Sequence, residues 1–110
     1  MHNIIYSFFK KILLRISTFF ENFSSFIYRL SAEIYPYNSL NALDTQIEEL
    51  IPEILNSSTF FIEVGANDGI NQSNTLFLEK KYKSKGLLIE PSQVLFEKCM
   101  KYRSRRNIFE

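Results

Sequence analysis

The sequence predicts an α/β fold: one strand, helix, strand unit with parallel strands, preceded by an amphipathic helix. Three observations predict it. A short aromatic and β-branched run, TFFIEV at 59–64, leads straight into the turn GANDG, and SNTLFLEKKYK after it has helical spacing. A second apolar run, LLI at 87–89, ends at Glu90, and the span from strand to strand is the roughly 30 residues of a βαβ unit. In the first thirty residues, finally, apolar side chains recur in alternating steps of four and three.

That first segment takes Ile5, Phe9, Ile12, Ile16, Phe19, Phe23, Phe26 and Leu30 as its stripe, widened by Leu13, Phe20 and Ile27. Its charges are Lys10, Lys11, Arg15 and Arg29 against Glu21, a balance of 4 − 1 = +3. Three readings stand open: packing on its own domain or a partner helix, peripheral contact of residues 1–30 with a membrane surface, or a targeting segment. A spanning helix is excluded, because Lys10, Lys11, Arg15 and Glu21 interrupt every window of roughly 18 apolar residues. A secretory signal carries its positive charges before its apolar run, whereas here IIYSFF precedes the lysines, so the chain is expected in the cytoplasm.

Pro36, followed by Asn38 and Ser39, predicts a linker, which divides the chain into a helical segment 1–32, a linker 33–41 and a domain from 42 to 110. Leu43, Ile47, Leu50, Ile51, Ile54 and Leu55 mark a second helix, kinked by Pro52 or losing its last turn there. The run TFFIEV suits a strand buried on both faces. Ser73 is the expected N-cap of the following helix and Gly86 its stop, with Leu87, Leu88 and Ile89 as the second strand. A last helix follows Ser92 with Leu95, Cys99 and Tyr102 inward. The basic run KCMKYRSRR then reads as a solvated helix end.

Composition limits the chemistry. With 110 residues, 45% hydrophobic, 23% charged and a net charge of +1, the chain is that of one small globular domain and lacks the basic excess of a nucleic-acid binder. A single cysteine, Cys99, forms no internal disulfide, and His2 is the only histidine, so no metal site is expected.

The turn and Glu90 carry the functional signal. Gly65 and Gly69 let the backbone approach a ligand closely, and both Gly65 and Glu90 fall at the carboxyl ends of the predicted strands, where open α/β sheets bind ligands. Glu90 stands 90 − 65 = 25 positions beyond the first glycine, a spacing at which an acid accepts the hydroxyls of an adenosine ribose. A dinucleotide fingerprint G-x-G-x-x-G is broken by Asn67 and Ile70, which disfavours a nucleotide-dependent oxidoreductase. An acid before the first glycine suits a cofactor with a positive centre and an amino-acid tail, which describes S-adenosylmethionine. Asn67 and Asp68 read alternatively as plain turn formers, and Glu63 as a carboxylate that only organises the loop.

The stretch FIEVGANDGINQSNTLFLEKKYKSKGLLIEPSQVLFEK resembles the opening of the FkbM family of S-adenosylmethionine-dependent methyltransferases, over roughly residues 60–98. The resemblance implies a Rossmann-like class I methyltransferase domain. It implies a glycine turn of Glu63, Gly65, Ala66, Asn67 and Gly69 at the methionyl end of the cofactor, and Glu90 on the ribose. It also implies methyl transfer to a hydroxyl of a sugar or secondary metabolite. Family members more often have Asp at the position of Glu63, and they continue far beyond IEP, so this chain is expected to hold only the start of the domain. RNIFE at 106–110 reads as the beginning of a third strand, and no catalytic residue is assigned. The rival from another class is a non-catalytic shortened gene product whose first helix binds a membrane or a partner.

Overall fold

The computed structural model describes residues 2–104. It contains α1 (His2–Ile34), α2 (Leu43–Leu50), β1 (Phe60–Val64), α3 (Leu76–Tyr82), β2 (Lys85–Ile89) and α4 (Gln93–Tyr102), with single 3-10 turns at Leu40–Ala42 and Pro52–Ile54. The chain forms two compact units, 1–31 and 32–110. The segment 106–110, expected to begin a third strand, lies outside the described residues.

The first unit is helix. Its stripe residues are exposed throughout, and its hydroxyls turn back onto the helix: Thr18 Oγ1 donates to the Leu14 carbonyl at 3.0 Å and Ser31 Oγ to that of Tyr28 at 2.7 Å. No helix among the described residues is long and apolar enough to cross a membrane.

The second unit is built on β1 and β2, which pair in parallel from Phe60 opposite Lys85 to Val64 opposite Ile89. Phe61, Ala66, Phe77, Leu78, Leu88 and Cys99 form its core with Leu55, so α3 and α4 both contribute to the core that Phe61 and Leu88 enter from the sheet. The expectation of a strand buried on both faces is corrected here. β1 alternates, with Phe61 and Glu63 buried but Phe60, Ile62 and Val64 more than 60% exposed. The pleat sends successive side chains to opposite faces, and among the described residues only one face receives cover.

Gly86 is a second correction. The residue that ends α3 is Lys83, in the left-handed conformation at φ 59°, with its N–H on the Leu78 carbonyl. Gly86 lies inside β2 opposite Phe61, and a Cβ there would stand 2.2 Å from the Phe61 ring. The ring fills the space that glycine leaves, so this residue serves packing and not helix termination.

The segment expected as a linker is folded. Helix α1 runs on to Ile34, and Ser39 forms a parallel bridge with Gln72. Ser39 N–H donates to Asp44 Oδ2 at 3.0 Å while Asp44 N–H donates to Ser39 Oγ at 2.9 Å, a reciprocal pair that ties the first turn of α2 back to Ser39, and Asp44 is buried. Pro52 splits off a separate 3-10 turn, since its ring is incompatible with a continuing helix. Glu48 ties three pieces together, accepting from Tyr37 at 2.7 Å and Tyr82 at 2.5 Å and pairing with Lys81 at 2.7 Å.

Gly86→Ala is expected to destabilise the protein by about 1–3 kcal/mol through overpacking against Phe61. Urea denaturation measures this, and a smaller residue in Phe61→Leu should recover part of the loss in the double variant.

Candidate functional site

The site is built where β1 ends. Gly65 has φ +76° and Asn67 φ +56°, so the chain reverses out of the strand through left-handed residues, one a glycine and one the residue type that best tolerates that region. The N–H groups of Gly65 and Ala66 both donate to the Ile89 carbonyl, at 2.8 and 3.0 Å, which folds the turn onto the end of β2. Asn67 N–H donates to Glu90 Oε2 at 2.8 Å, and Ser92 N–H to Glu90 Oε1 at 2.9 Å.

The rest of the turn is closed upon itself. Asp68 N–H donates to Asn67 Oδ1, Gly69 N–H to the Ala66 carbonyl, and the N–H groups of Ile70 and Asn71 to Asp68 Oδ1. Every N–H from Gly65 to Asn71 therefore has an acceptor within the protein. A phosphate-binding turn presents such groups to its ligand, and this one has committed them.

The sequence-derived residues separate into two groups. Gly65, Ala66, Asn67 and Glu90 meet at the carboxyl ends of the two strands, and open space surrounds the position a Cβ would take on Gly65. Glu90 is 8% exposed and each of its oxygens accepts one backbone N–H, which leaves about two of a carboxylate's four acceptor positions. Gly69 faces inward instead: a Cβ there would lie 2.6 Å from Arg103 Cγ and 2.9 Å from Cys99 Sγ. Glu63 is buried too. Its carboxylate accepts from Ser73 Oγ at 2.9 Å, Thr75 Oγ1 at 2.5 Å and Asn74 N–H at 2.7 Å, which are organising bonds at the entrance to α3. Ser73 does not sit at the N-cap position, which is Thr75, yet its hydroxyl accepts the Leu76 N–H at 3.1 Å and so caps from two residues further out.

Arg103 was missed by sequence reasoning, which read the run around it as solvated. Its side chain is fully buried. Nε donates to Glu79 Oε2 at 3.0 Å, Nη1 to the Gly69 carbonyl at 3.0 Å and to Ser73 Oγ at 3.1 Å, and Nη2 to Thr75 Oγ1 at 3.3 Å. Glu63 Oε2 is 3.7 Å from Nη1, and the guanidinium lies 5.7 Å from the centre of the Phe61 ring. The signal that could have found it is Glu79, an acid three residues after Leu76 on the buried face of α3, where a carboxylate requires a partner. Cys99 beside it matches expectation: burial pushes its thiol up to about 11 and keeps it protonated.

A cleft of about 280 Å³ lies elsewhere, lined by Lys83, Ser84, Lys85, Glu79 and Ser104 among others. It borders Lys85, which opens β2, whereas Glu90 follows the strand's end. The turn is the better candidate because ligand sites of parallel sheets form at the carboxyl ends of strands. Comparison of the chain with protein-family models, curated proteins and solved structures found no match.

Arg103→Met is expected to cost about 3–5 kcal/mol, because it strands Glu63 and Glu79 in the core. Urea denaturation tests it, and adding Glu63→Gln and Glu79→Gln to the same protein should return part of the loss. For Cys99, a folded-state thiol raised above the unfolded value of 9.0 supports stability fully below that pH and loses it as pH rises through about 11. Stability measured by denaturant at a series of alkaline pH values should therefore fall across that window, and Cys99→Ala should flatten this component.

Proposed function

We propose that this chain carries the cofactor-binding opening of an S-adenosylmethionine-dependent methyltransferase domain of the FkbM type. The reaction proposed is methyl transfer to a hydroxyl of a sugar or secondary metabolite, in the cytoplasm. The observation that carries the reading is the closure of Glu90 onto the Asn67 N–H, which joins the glycine turn and the acid at the carboxyl ends of two parallel strands.

The residues fit that cofactor better than a dinucleotide. A pyrophosphate requires free backbone donors, and those of Gly65 to Asn71 are already bonded internally. S-adenosylmethionine has no phosphate, and its ammonium and ribose hydroxyls call for acceptors. On this reading Gly65 leaves room for the methionyl end, Ala66 anchors the turn in the core, Asn67 shapes the turn, and the remaining acceptor positions of Glu90 take the ribose hydroxyls. Glu63 and Gly69 act from behind, holding the turn's far side to α3 and α4. When bound, the cofactor supplies an electrophilic methyl group on a sulfonium. No residue of the chain is assigned as a general base, and positioning of the acceptor would supply much of the rate.

Isothermal titration of the full chain with S-adenosylmethionine tests the reading, with Glu90→Gln and Glu97→Ala as variants. The wild type should bind and, at about a hundred times its dissociation constant, gain roughly 2.7 kcal/mol of stability. Glu90→Gln should weaken binding about 10–100-fold, the loss expected for hydrogen bonds to a charged acceptor, and Glu97→Ala should not. Absence of binding, or equal affinities of both variants, would overturn the assignment.

A further inference from the structure

We propose that α1 is an anionic-lipid docking element that lies in the plane of a membrane interface. The proposal rests on the first unit alone and is independent of the cofactor reading.

The apolar stripe is continuous and open. From Ile5 to Leu30 its eight residues follow a strict alternation of four and three, and each is 36–65% exposed. A two-stranded coiled coil buries a seam of that width and places polar or charged residues beside it. Here the position next to the seam is held by Leu13, Phe20 and Ile27, each 46–65% exposed, so the apolar arc is broader than one partner helix covers. Phenylalanine dominates the arc, and Phe19 and Phe23 stack with centroids 6.4 Å apart, presenting a broad aromatic surface.

Charge selects the occupant. Residues 1–31 carry 4 − 1 = +3, and Glu33 beyond them brings α1 as a whole to +2, so a second copy would bring like charges together, whereas an anionic surface attracts them. Lys11 and Arg29 are 29 − 11 = 18 residues apart, five full turns at 3.6 residues each, and therefore lie on one line with Arg15 close to it. That line borders the apolar arc. From such a border, long basic side chains lay their stems on the acyl boundary and carry their charges to the headgroups while the rings sink beneath. Lys11 and Arg15, which help to bar α1 from spanning a bilayer, are thus among the cations that would hold it flat on the surface.

The test is co-sedimentation of the full chain with vesicles of phosphatidylcholine alone and of equal parts phosphatidylcholine and phosphatidylserine. The chain should partition to the mixed vesicles in a salt-sensitive manner and scarcely to the neutral ones. Phe19→Ser with Phe23→Ser should abolish partitioning. Replacing Lys11, Arg15 and Arg29 with Gln, changes on the exposed polar border that leave the apolar face intact, should lower partitioning about five-fold per residue. Indifference to lipid, equal uptake by both vesicle types, or a stable oligomer in solution that replaces vesicle uptake would overturn the proposal.

Discussion

The second unit depends on one buried guanidinium. Arg103 reaches the end of β1 through Glu63, the glycine turn through the Gly69 carbonyl, the entrance of α3 through Ser73 and Thr75, and the body of α3 through Glu79. Ser104 N–H adds a bond to Glu79 Oε1 at 2.9 Å, so the chain leaving α4 is held by the same acid. Two carboxylates against one cation is a costly composition for a protein interior, and it persists because each charged oxygen and nitrogen has a hydrogen-bond partner. The planar fork of arginine serves four hydrogen-bond partners and the nearby Glu63 carboxylate at once, which the single point charge of lysine does not.

This arrangement makes the turn rigid from both sides. Behind it, Gly69 is pressed against Cys99 and Arg103 so closely that no side chain fits there. In front, Glu90 holds Asn67 and the Ile89 carbonyl holds Gly65 and Ala66. A loop fixed in this way has little conformational freedom left to lose when a ligand arrives, which favours binding. Glu63 and Glu90 stand at or just beyond the ends of neighbouring strands, yet they do different work. Glu63 is the inward residue of the pleat and turns to α3, while Glu90 has left the ladder and closes on the turn.

The same logic shows why some features were legible in the sequence and others were not. Helical spacing of apolar residues marked α1, α2 and α4, and a short aromatic and β-branched run marked β1, since both signals are local to the chain. Gly65, Asn67 and Glu90 were legible because the turn needs left-handed backbone and the acid stands at a set distance from it. Arg103 was illegible: it sits in a run of cations at a helix end, which is what a solvated terminus also contains. Gly86 looked like a helix stop because glycine commonly is one, and only the ring of Phe61 opposite it gives the actual reason. Asp44 carried no signal in the sequence, and its burial goes with the reciprocal bonds to Ser39.

By itself, then, the sequence determined the order of elements, the amphipathic character of α1, and the pairing of a glycine turn with an acid after the next strand. These are properties of residues close in the chain, where spacing translates directly into geometry. Tertiary structure alone decided which carboxylate turns inward, which glycine serves packing, and that a cation at the end of α4 would be buried beneath the turn. Those outcomes depend on partners from 10 residues away, as from Glu63 to Ser73, to 34, as from Arg103 to Gly69, and no local pattern encodes the desolvation that selects them.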